Sequence, residues 1–170
     1  MSDYRIIGGP VGCQPIAETS TTQKHPFGTR VKAVDVASTA YGEGEFIYVK
    51  GVTNGVLGHI ALINADDYTT TLIVTGLKGP LGVFMSALSA STVFGWAQIY
   101  GKAVGKVGAG FVDNGDCYIM AAAAVGTVDD TDVAGDFVTG MKGASAIDTP
   151  STGLAELEIA YPMVTDGADD

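Results

Sequence analysis

The side chains that most often perform catalysis or bind metals are few in this chain. Of its 170 residues, two are histidines, His25 and His59, and two are cysteines, Cys13 and Cys117. Neither a His–Cys nor a His–carboxylate spacing matches a known metal site, and no nucleophile elbow or family signature surrounds them. We therefore expect no catalytic residue, no metal site and no bound cofactor, and we expect each histidine to be satisfied within the protein or to lie at its surface.

The two cysteines lie far apart in the sequence. Neither a basic stretch nor a long apolar run, the marks of a secretion signal, precedes Cys13. The sequence therefore predicts synthesis in a reducing compartment and two free thiols. A disulfide that pins the N-terminal segment to the core is the alternative.

Carboxylates cluster at three places, 66–67, 113–116 and 129–132, and oxygen ligands of this kind can bind Ca²⁺. The segment Asp113-Asn114-Gly115-Asp116 lacks the alternating ligand series and the terminal Glu of a calcium loop. Its Asn-Gly pair fits a tight hairpin turn equally well. Turn formation is therefore favoured over calcium binding at this segment.

Trp96 and Tyr100 lie on the same side of a predicted strand, because residues an even number of positions apart share a face. Two aromatic rings in this arrangement could form a platform on which a sugar or a base stacks. Packing in the core or in a subunit interface is the interpretation that we favour.

The composition limits the kinds of partner. Hydrophobic residues make up 46% of the chain and charged residues only 16%, below the typical share of about a quarter. Such a composition suggests that other subunits cover much of the surface. The net charge is −10, and only Arg5 and Arg30 are arginines. We therefore expect no nucleic-acid partner and no membrane partner.

From residue 29 onward, turn signals recur about every ten residues, the spacing of an all-β fold. The Asn54-Gly55 pair predicts a tight hairpin between strands at 45–50 and 56–63. Further strands are expected at 94–100 and 102–107, separated by Gly101, and the last strand is expected to stop at Pro162. No long helix is expected. The sequence thus predicts an antiparallel β-sandwich or β-barrel.

Residues 1–28 carry little periodicity because glycines, prolines and threonines interrupt them. We expect an extended N-terminal arm at 1–28, an all-β domain at 29–163 and a flexible acidic tail at 164–170. Apolar residues spaced along the arm could anchor it on a neighbouring subunit. The candidate interface residues are the arm anchors Tyr4, Ile6, Ile7, Ile16 and Phe27, and the aromatics Trp96 and Tyr100.

Five segments in the second half of the chain resemble a known family. They read FGWAQIYGKA at 94–103, NGDCYIMA at 114–121, GTVDD at 126–130, AGDFVTGMKGAS at 134–145 and GLAELEIAYP at 153–162. In their order and in the placement of glycine and aspartate, these segments resemble the small bacteriophage capsid decoration (cement) proteins, all-β head proteins that are encoded near the major capsid protein. The resemblance covers residues 94–162, extends weakly to Glu45 and does not reach the arm.

The resemblance implies a structural virion protein that binds the outer surface of an icosahedral phage capsid and stabilises contacts between capsomers. It also implies the major capsid protein as partner, a homo-oligomer with a trimer favoured, synthesis in the host cytoplasm, and a final place on the capsid exterior. Two alternatives stay open: a virion-surface module that binds a glycan or a host, and a structural component of the tail or neck.

Overall fold

The computed structural model describes residues 3–37, 40–120, 124–132, 136–144 and 153–165, and this part of the chain forms strands and turns but no helix. No helix that could cross a membrane is found there either. The predicted all-β fold is confirmed, while residues 166–170 of the acidic tail lie outside the described residues. The strands are β1 (Tyr4–Gly8), β2 (Arg30–Asp35), β3 (Glu43–Lys50), β4 (Ile60–Ile63), β5 (Thr70–Leu72), β6 (Gly79–Phe84), β7 (Phe94–Lys106), β8 (Asp116–Ile119), β9 (Val128–Asp129), β10 (Phe137–Gly143) and β11 (Leu154–Val164).

These strands join in one antiparallel sheet. The order along it is β1-β2-β3-β7-β6-β11-β10-β8-β9, and β4 pairs with both β5 and β6. The strands at the two ends of this path, β1 and β9, do not pair with each other, so the sheet is not closed into a barrel. Residues 100–106 of β7 pair with residues 154–160 of β11, and these two long strands form the middle of the molecule.

β3 and the first half of β7 are covered on both faces. Phe46 and Tyr48 of β3 join one hydrophobic cluster together with Trp96 of β7, whereas Ile47 and Val49 join another. Successive residues of a strand point to opposite faces, so a strand that is buried on both sides is apolar at nearly every position. A third cluster lies between β4, β6, the second half of β7 and the strands β8 to β11.

The hairpin predicted at Asn54-Gly55 does not form. Asn54 has a φ of 65°, but β3 pairs with β2 and β7, while β4 pairs with β5 and β6. The loop docks instead on the segment between β6 and β7, where the Val52 N–H donates to the Leu88 carbonyl at 3.0 Å. The hairpin prediction was wrong because β3 and β4 each pair with other strands, and the loop between them packs against a distant segment instead of forming a tight turn.

β7 runs without a break across Gly101, where the sequence predicted two separate strands. Gly101 has a φ of 100°, and a Cβ at this position would lie 2.5 Å from the Glu43 carbonyl oxygen. Only glycine combines this backbone conformation with so close an approach. The glycine therefore joins the two halves of the strand instead of dividing them.

β11 continues through Pro162 to Val164, although the sequence predicted that the proline ends it. At this point the register of β10 and β11 shifts, and three residues of β11 face Gly140 alone. A bulge tolerates proline because the bulged residues leave the ladder of hydrogen bonds. Tyr161 lies at the centre of the bulge with a φ of 50°.

Residues 3–28 cover one face of β2, β3 and β7. β1 pairs with β2, Ile16 and His25 are buried, and the Trp96 indole Nε1–H donates to the Gln14 carbonyl at 2.9 Å. Contacts therefore join the two sides of the boundary predicted at residue 28. The segment is ordered against its own chain, whereas the sequence suggested that a neighbouring subunit could anchor it.

Candidate functional site

His25 packs within the N-terminal segment. Its Nε2 accepts a hydrogen bond from the Gln14 N–H at 3.0 Å, which places the ring proton on Nδ1 in the neutral form. The ring centroid lies 5.1 Å from that of Tyr48 and 5.5 Å from that of Trp96. This histidine is satisfied within the protein, as the sequence predicted.

His59 supports the loop that leads into β4. Its Nδ1 accepts a hydrogen bond from the Val56 N–H at 3.3 Å, and the side chain is buried. Burial, with a contribution from the positive charge of Lys106, lowers the pKa of His59. The folded chain therefore favours the neutral imidazole.

The protein is expected to lose stability as the pH is lowered from about 7 to about 5. The pKa of His59 is lower in the folded chain than in the unfolded chain. Its stabilising contribution is therefore complete above the unfolded pKa and is lost as the pH falls through the folded one. Urea unfolding at a series of pH values measures this loss. In His59→Asn, whose amide oxygen can accept the same hydrogen bond, the loss should be smaller; an equal loss would contradict the role of His59.

The two cysteines are free thiols in separate environments, so the alternative of a disulfide between them is not realised. Cys117 lies in the core, and burial raises the pKa of its thiol to about 12. The Cys13 thiol donates to the Pro10 carbonyl at 2.9 Å, and burial raises its pKa as well. Because the thiolate is the nucleophilic form of cysteine, both side chains are held in their unreactive form.

The carboxylate clusters hold turns together. Within the described ranges, no three His, Cys, Asp or Glu side chains lie close enough to bind one metal ion. Asn114 has a φ of 56°, as the turn predicted there requires. Asp130 accepts a hydrogen bond from the Val112 N–H, and Asp67 accepts one from the Thr69 N–H, both at 3.1 Å.

Trp96 and Tyr100 do not share a face. Gln98 pairs with Phe46, but Tyr100 pairs with Glu45, so the register of β3 and β7 shifts by one residue between the two aromatics. A one-residue shift turns the following side chains to the other face. The two side chains therefore lie on opposite faces. Trp96 is fully buried and cannot serve as a stacking platform, whereas Tyr100 reaches the surface.

The arm anchors predicted from the sequence fall into two groups. Tyr4 and Ile16 are buried in the cluster that contains the tryptophan, and Ile6 and Phe27 pack against it. Ile7 is 59% exposed. Among the five anchors, only Ile7 presents most of its side chain to solvent.

Tyr100 and Tyr161 form an exposed pair, which we call the tyrosine ridge. Their ring centroids lie 5.5 Å apart, and the side chains are 45% and 51% exposed. The Tyr161 hydroxyl donates to Glu45 Oε2 at 2.7 Å, and Lys32 Nζ lies 3.3 Å from Glu45 Oε1. The hydrogen bond from Tyr161, aided by Lys32, lowers the pKa of Glu45. The charged carboxylate thus fixes the position of the Tyr161 ring.

Sequence reasoning identified Tyr100 but missed Tyr161. Tyr161 stands directly before Pro162, where the strand was expected to end, so no partner on β7 could be assigned to it. The available signal was a large aromatic residue that breaks the alternation of 154–159. Only the bulge in β11 shows why this tyrosine points outward.

A ladder of alternating charges crosses four strands beside the ridge. Asp116 of β8 pairs with Lys142 of β10, Lys142 pairs with Glu158 of β11, and Glu158 pairs with Lys102 of β7. Opposite charges on neighbouring strands attract each other, and Lys142 Nζ lies 3.3 Å from Glu158 Oε2. Asp116 ends the ladder and forms no ion pair with any residue that the structure describes.

Two grooves open beside the ridge. The acidic groove, of about 610 Å³, includes Tyr100, Phe137 and four charged residues: Glu43, Asp116, Lys142 and Glu158. The apolar groove, of about 500 Å³, includes Tyr161 together with Ile47, Ile63, Ile99, Pro80 and Met163. The three isoleucines are nearly buried, at 5% exposure each, whereas Tyr161, Pro80 and Met163 are exposed. Exposed apolar side chains beside charged residues are typical of a protein-binding surface.

Comparisons of this chain with protein-family models, with curated proteins and with solved structures find no match. The geometry of the ridge and of its two grooves is therefore the basis for a functional proposal, together with the sequence resemblance.

Proposed function

We propose that this protein is a structural component of a bacteriophage virion that binds the outer surface of the icosahedral capsid and stabilises contacts between capsomers. Its partner is the major capsid protein, and it assembles as a homo-oligomer, with a trimer favoured. The resemblance of residues 94–162 to capsid decoration proteins supports this proposal. The net charge of −10 suits an outward-facing position, away from packaged DNA.

The observation that carries the proposal is the tyrosine ridge with its grooves. Tyrosine, phenylalanine and methionine are enriched in the buried cores of protein interfaces, and charged residues occupy the rims. Tyr100, Tyr161 and Met163 are exposed here, and Lys32, Glu43 and Glu45 form ion pairs nearby. The ridge therefore has the composition of a docking surface that a partner would cover.

Part of the N-terminal segment also remains accessible to a partner. Ile7 and Val11 are exposed, and Val11 is completely so, between Pro10 and Gly12. Most other apolar side chains of the segment contact its own sheet. A contribution of the arm to capsid binding would therefore come from the loop around Val11.

Replacing both tyrosines of the ridge is expected to weaken binding to undecorated capsids by at least about 10-fold, because exposed tyrosines at interface centres often dominate affinity. Co-sedimentation with capsids measures the affinity of Tyr100→Ser/Tyr161→Ser. Leu57→Ser/Val125→Ser is the matched control, since both residues are apolar and similarly exposed but lie outside the ridge. The proposed docking face would be rejected by wild-type affinity of the ridge variant, or by an equal loss in the control.

A virion-surface module that binds a glycan is the second candidate. The exposed Tyr100 ring beside the carboxylates of the acidic groove favours it, whereas the buried Trp96 can take no part. Binding on a glycan array that disappears in Tyr100→Ala would support this candidate. Copy number per particle would separate a shell protein, present in many copies, from a tail or neck component.

A further inference from the structure

We propose that the acidic groove receives an arginine or lysine side chain from an extended segment of the partner protein. This inference rests on the proposed function, since it assigns the chemistry of the surface that docks against the ridge. The groove is present in the protein alone, so its preference for a cation can be tested separately from capsid binding.

The charges of the groove are incompletely neutralised. Lys142 is the basic residue among its lining side chains, and its ammonium group already lies 3.3 Å from Glu158. Lys32 lies 3.9 Å from Glu43 but closer, at 3.3 Å, to Glu45. Asp116 faces Lys142 across the strands but forms no ion pair within the described ranges, so the groove retains negative charge that a cation from outside can balance.

The aromatic wall of the groove suits the same occupant. Tyr100 is exposed and lines the groove together with the carboxylates. A cation over the face of a tyrosine ring is attracted by the negative electrostatic potential of that face. The protein already uses this interaction internally, because Lys50 Nζ lies 4.9 Å from the ring centroid of Phe27.

The ridge is also held in place before any partner binds. Tyr161 packs against Tyr100 and donates to Glu45, and Lys32 holds the other oxygen of that carboxylate. Fixing the rings in advance lowers the entropy cost of association. An arginine bound beside Tyr100 can therefore use the ring without first ordering it.

A second copy of this chain is a poor occupant of the acidic groove. Each copy carries nine lysines and arginines against 19 aspartates and glutamates, a net charge of −10, so association through this groove would bring two acidic surfaces together. A basic segment of another protein meets the opposite charge. The adjacent apolar groove can then accommodate aliphatic side chains that flank the cation.

The direct test uses a tri-arginine peptide as probe and follows the ring signals of Tyr100 and Tyr161 by NMR. We expect the peptide to shift the Tyr100 signals, and we expect Glu43→Gln/Asp116→Asn to weaken this binding by about 5-fold. Glu18→Gln/Asp66→Asn removes the same number of charges from exposed loops and should bind as the wild type does. The inference is overturned if the peptide leaves the Tyr100 signals unchanged, or if the groove variant and its control lose the same amount of peptide affinity. It is also overturned if maltotriose, but not the peptide, shifts the Tyr100 signals.

Capsid binding separates this inference from the proposed function. If the groove variant binds undecorated capsids as well as the wild type while the ridge variant does not, the docking face stands and the cationic contact is rejected. If tri-arginine binds the groove but neither variant affects capsid binding, the cation site stands and the proposed docking face is rejected. If the ridge variant Tyr100→Ser/Tyr161→Ser and the groove variant Glu43→Gln/Asp116→Asn both lose capsid binding, and the binding of the groove variant depends less on salt, the docking face and the cation site are both supported.

Discussion

A chain that lacks residues 1–28 is expected not to fold to a stable state. The deletion removes Tyr4 and Ile16 from the core, together with the partly buried Phe27, and it exposes Trp96 and Tyr48. Burial of one large apolar side chain contributes about 1.5–3 kcal/mol, so the loss is about 5 kcal/mol or more, against a typical total stability of about 5–15 kcal/mol. Far-UV circular dichroism and urea unfolding measure the effect.

Point variants separate this structural role from binding to a partner. Ile7→Ser/Val11→Ser changes only exposed side chains of the segment and should unfold at the wild-type urea concentration. A loss of capsid binding in this variant would assign a docking role to the arm, which the deletion cannot do. A truncated chain that unfolds cooperatively at an unchanged midpoint would show that residues 1–28 are a separate arm after all.

Replacing Trp96 by alanine is expected to lower the free energy of unfolding by about 3–5 kcal/mol. The indole is the largest fully buried side chain of the described residues, and its removal leaves a cavity between the sheet and the N-terminal segment. It also leaves the Gln14 carbonyl without its hydrogen bond from Nε1, which adds to the cost. Because Trp96 is the one tryptophan of the chain, unfolding must be followed by circular dichroism.

Tyr161→Ala is the matched control for Trp96→Ala. It also removes an aromatic ring from a long strand, but the ring is half exposed and should affect stability far less. The tryptophan variant should keep the wild-type dependence of the unfolding free energy on urea, because the fold remains. Similar stability of the two variants would contradict the assignment of Trp96 to the core and Tyr161 to the surface.

Local signals in the sequence predicted several of the strands. The segment EFIYVK forms β3, and the alternation of 154–159 forms the first part of β11, because β-branched and aromatic residues and a period of two favour extended backbone wherever they occur. Both Asn-Gly pairs mark backbone with positive φ at Asn54 and Asn114. The strand pairings were harder to predict from the sequence. At Asn54 the turn residue was identified correctly, but the strands on either side of it do not pair with each other.

The candidate site could be predicted only in part. Tyr100 was found because it is a large aromatic residue on a clear strand. Trp96 was assigned to the same face, since the one-residue shift between β7 and β3 has no signal in either strand alone. Tyr161 was missed because the strand was expected to end beside it. Sites that depend on bulges require the register of several strands, which is a property of the assembled sheet.

The amino-acid sequence by itself determined that this protein is built from β-strands, that its histidines are satisfied by packing or lie at the surface, and that it is strongly acidic. These features follow from side-chain chemistry and from preferences over a few residues. The tertiary structure decided that residues 3–28 cover their own sheet and that Tyr100 meets Tyr161. Both outcomes depend on contacts between segments far apart in the chain, where burial and strand register outweigh local preference.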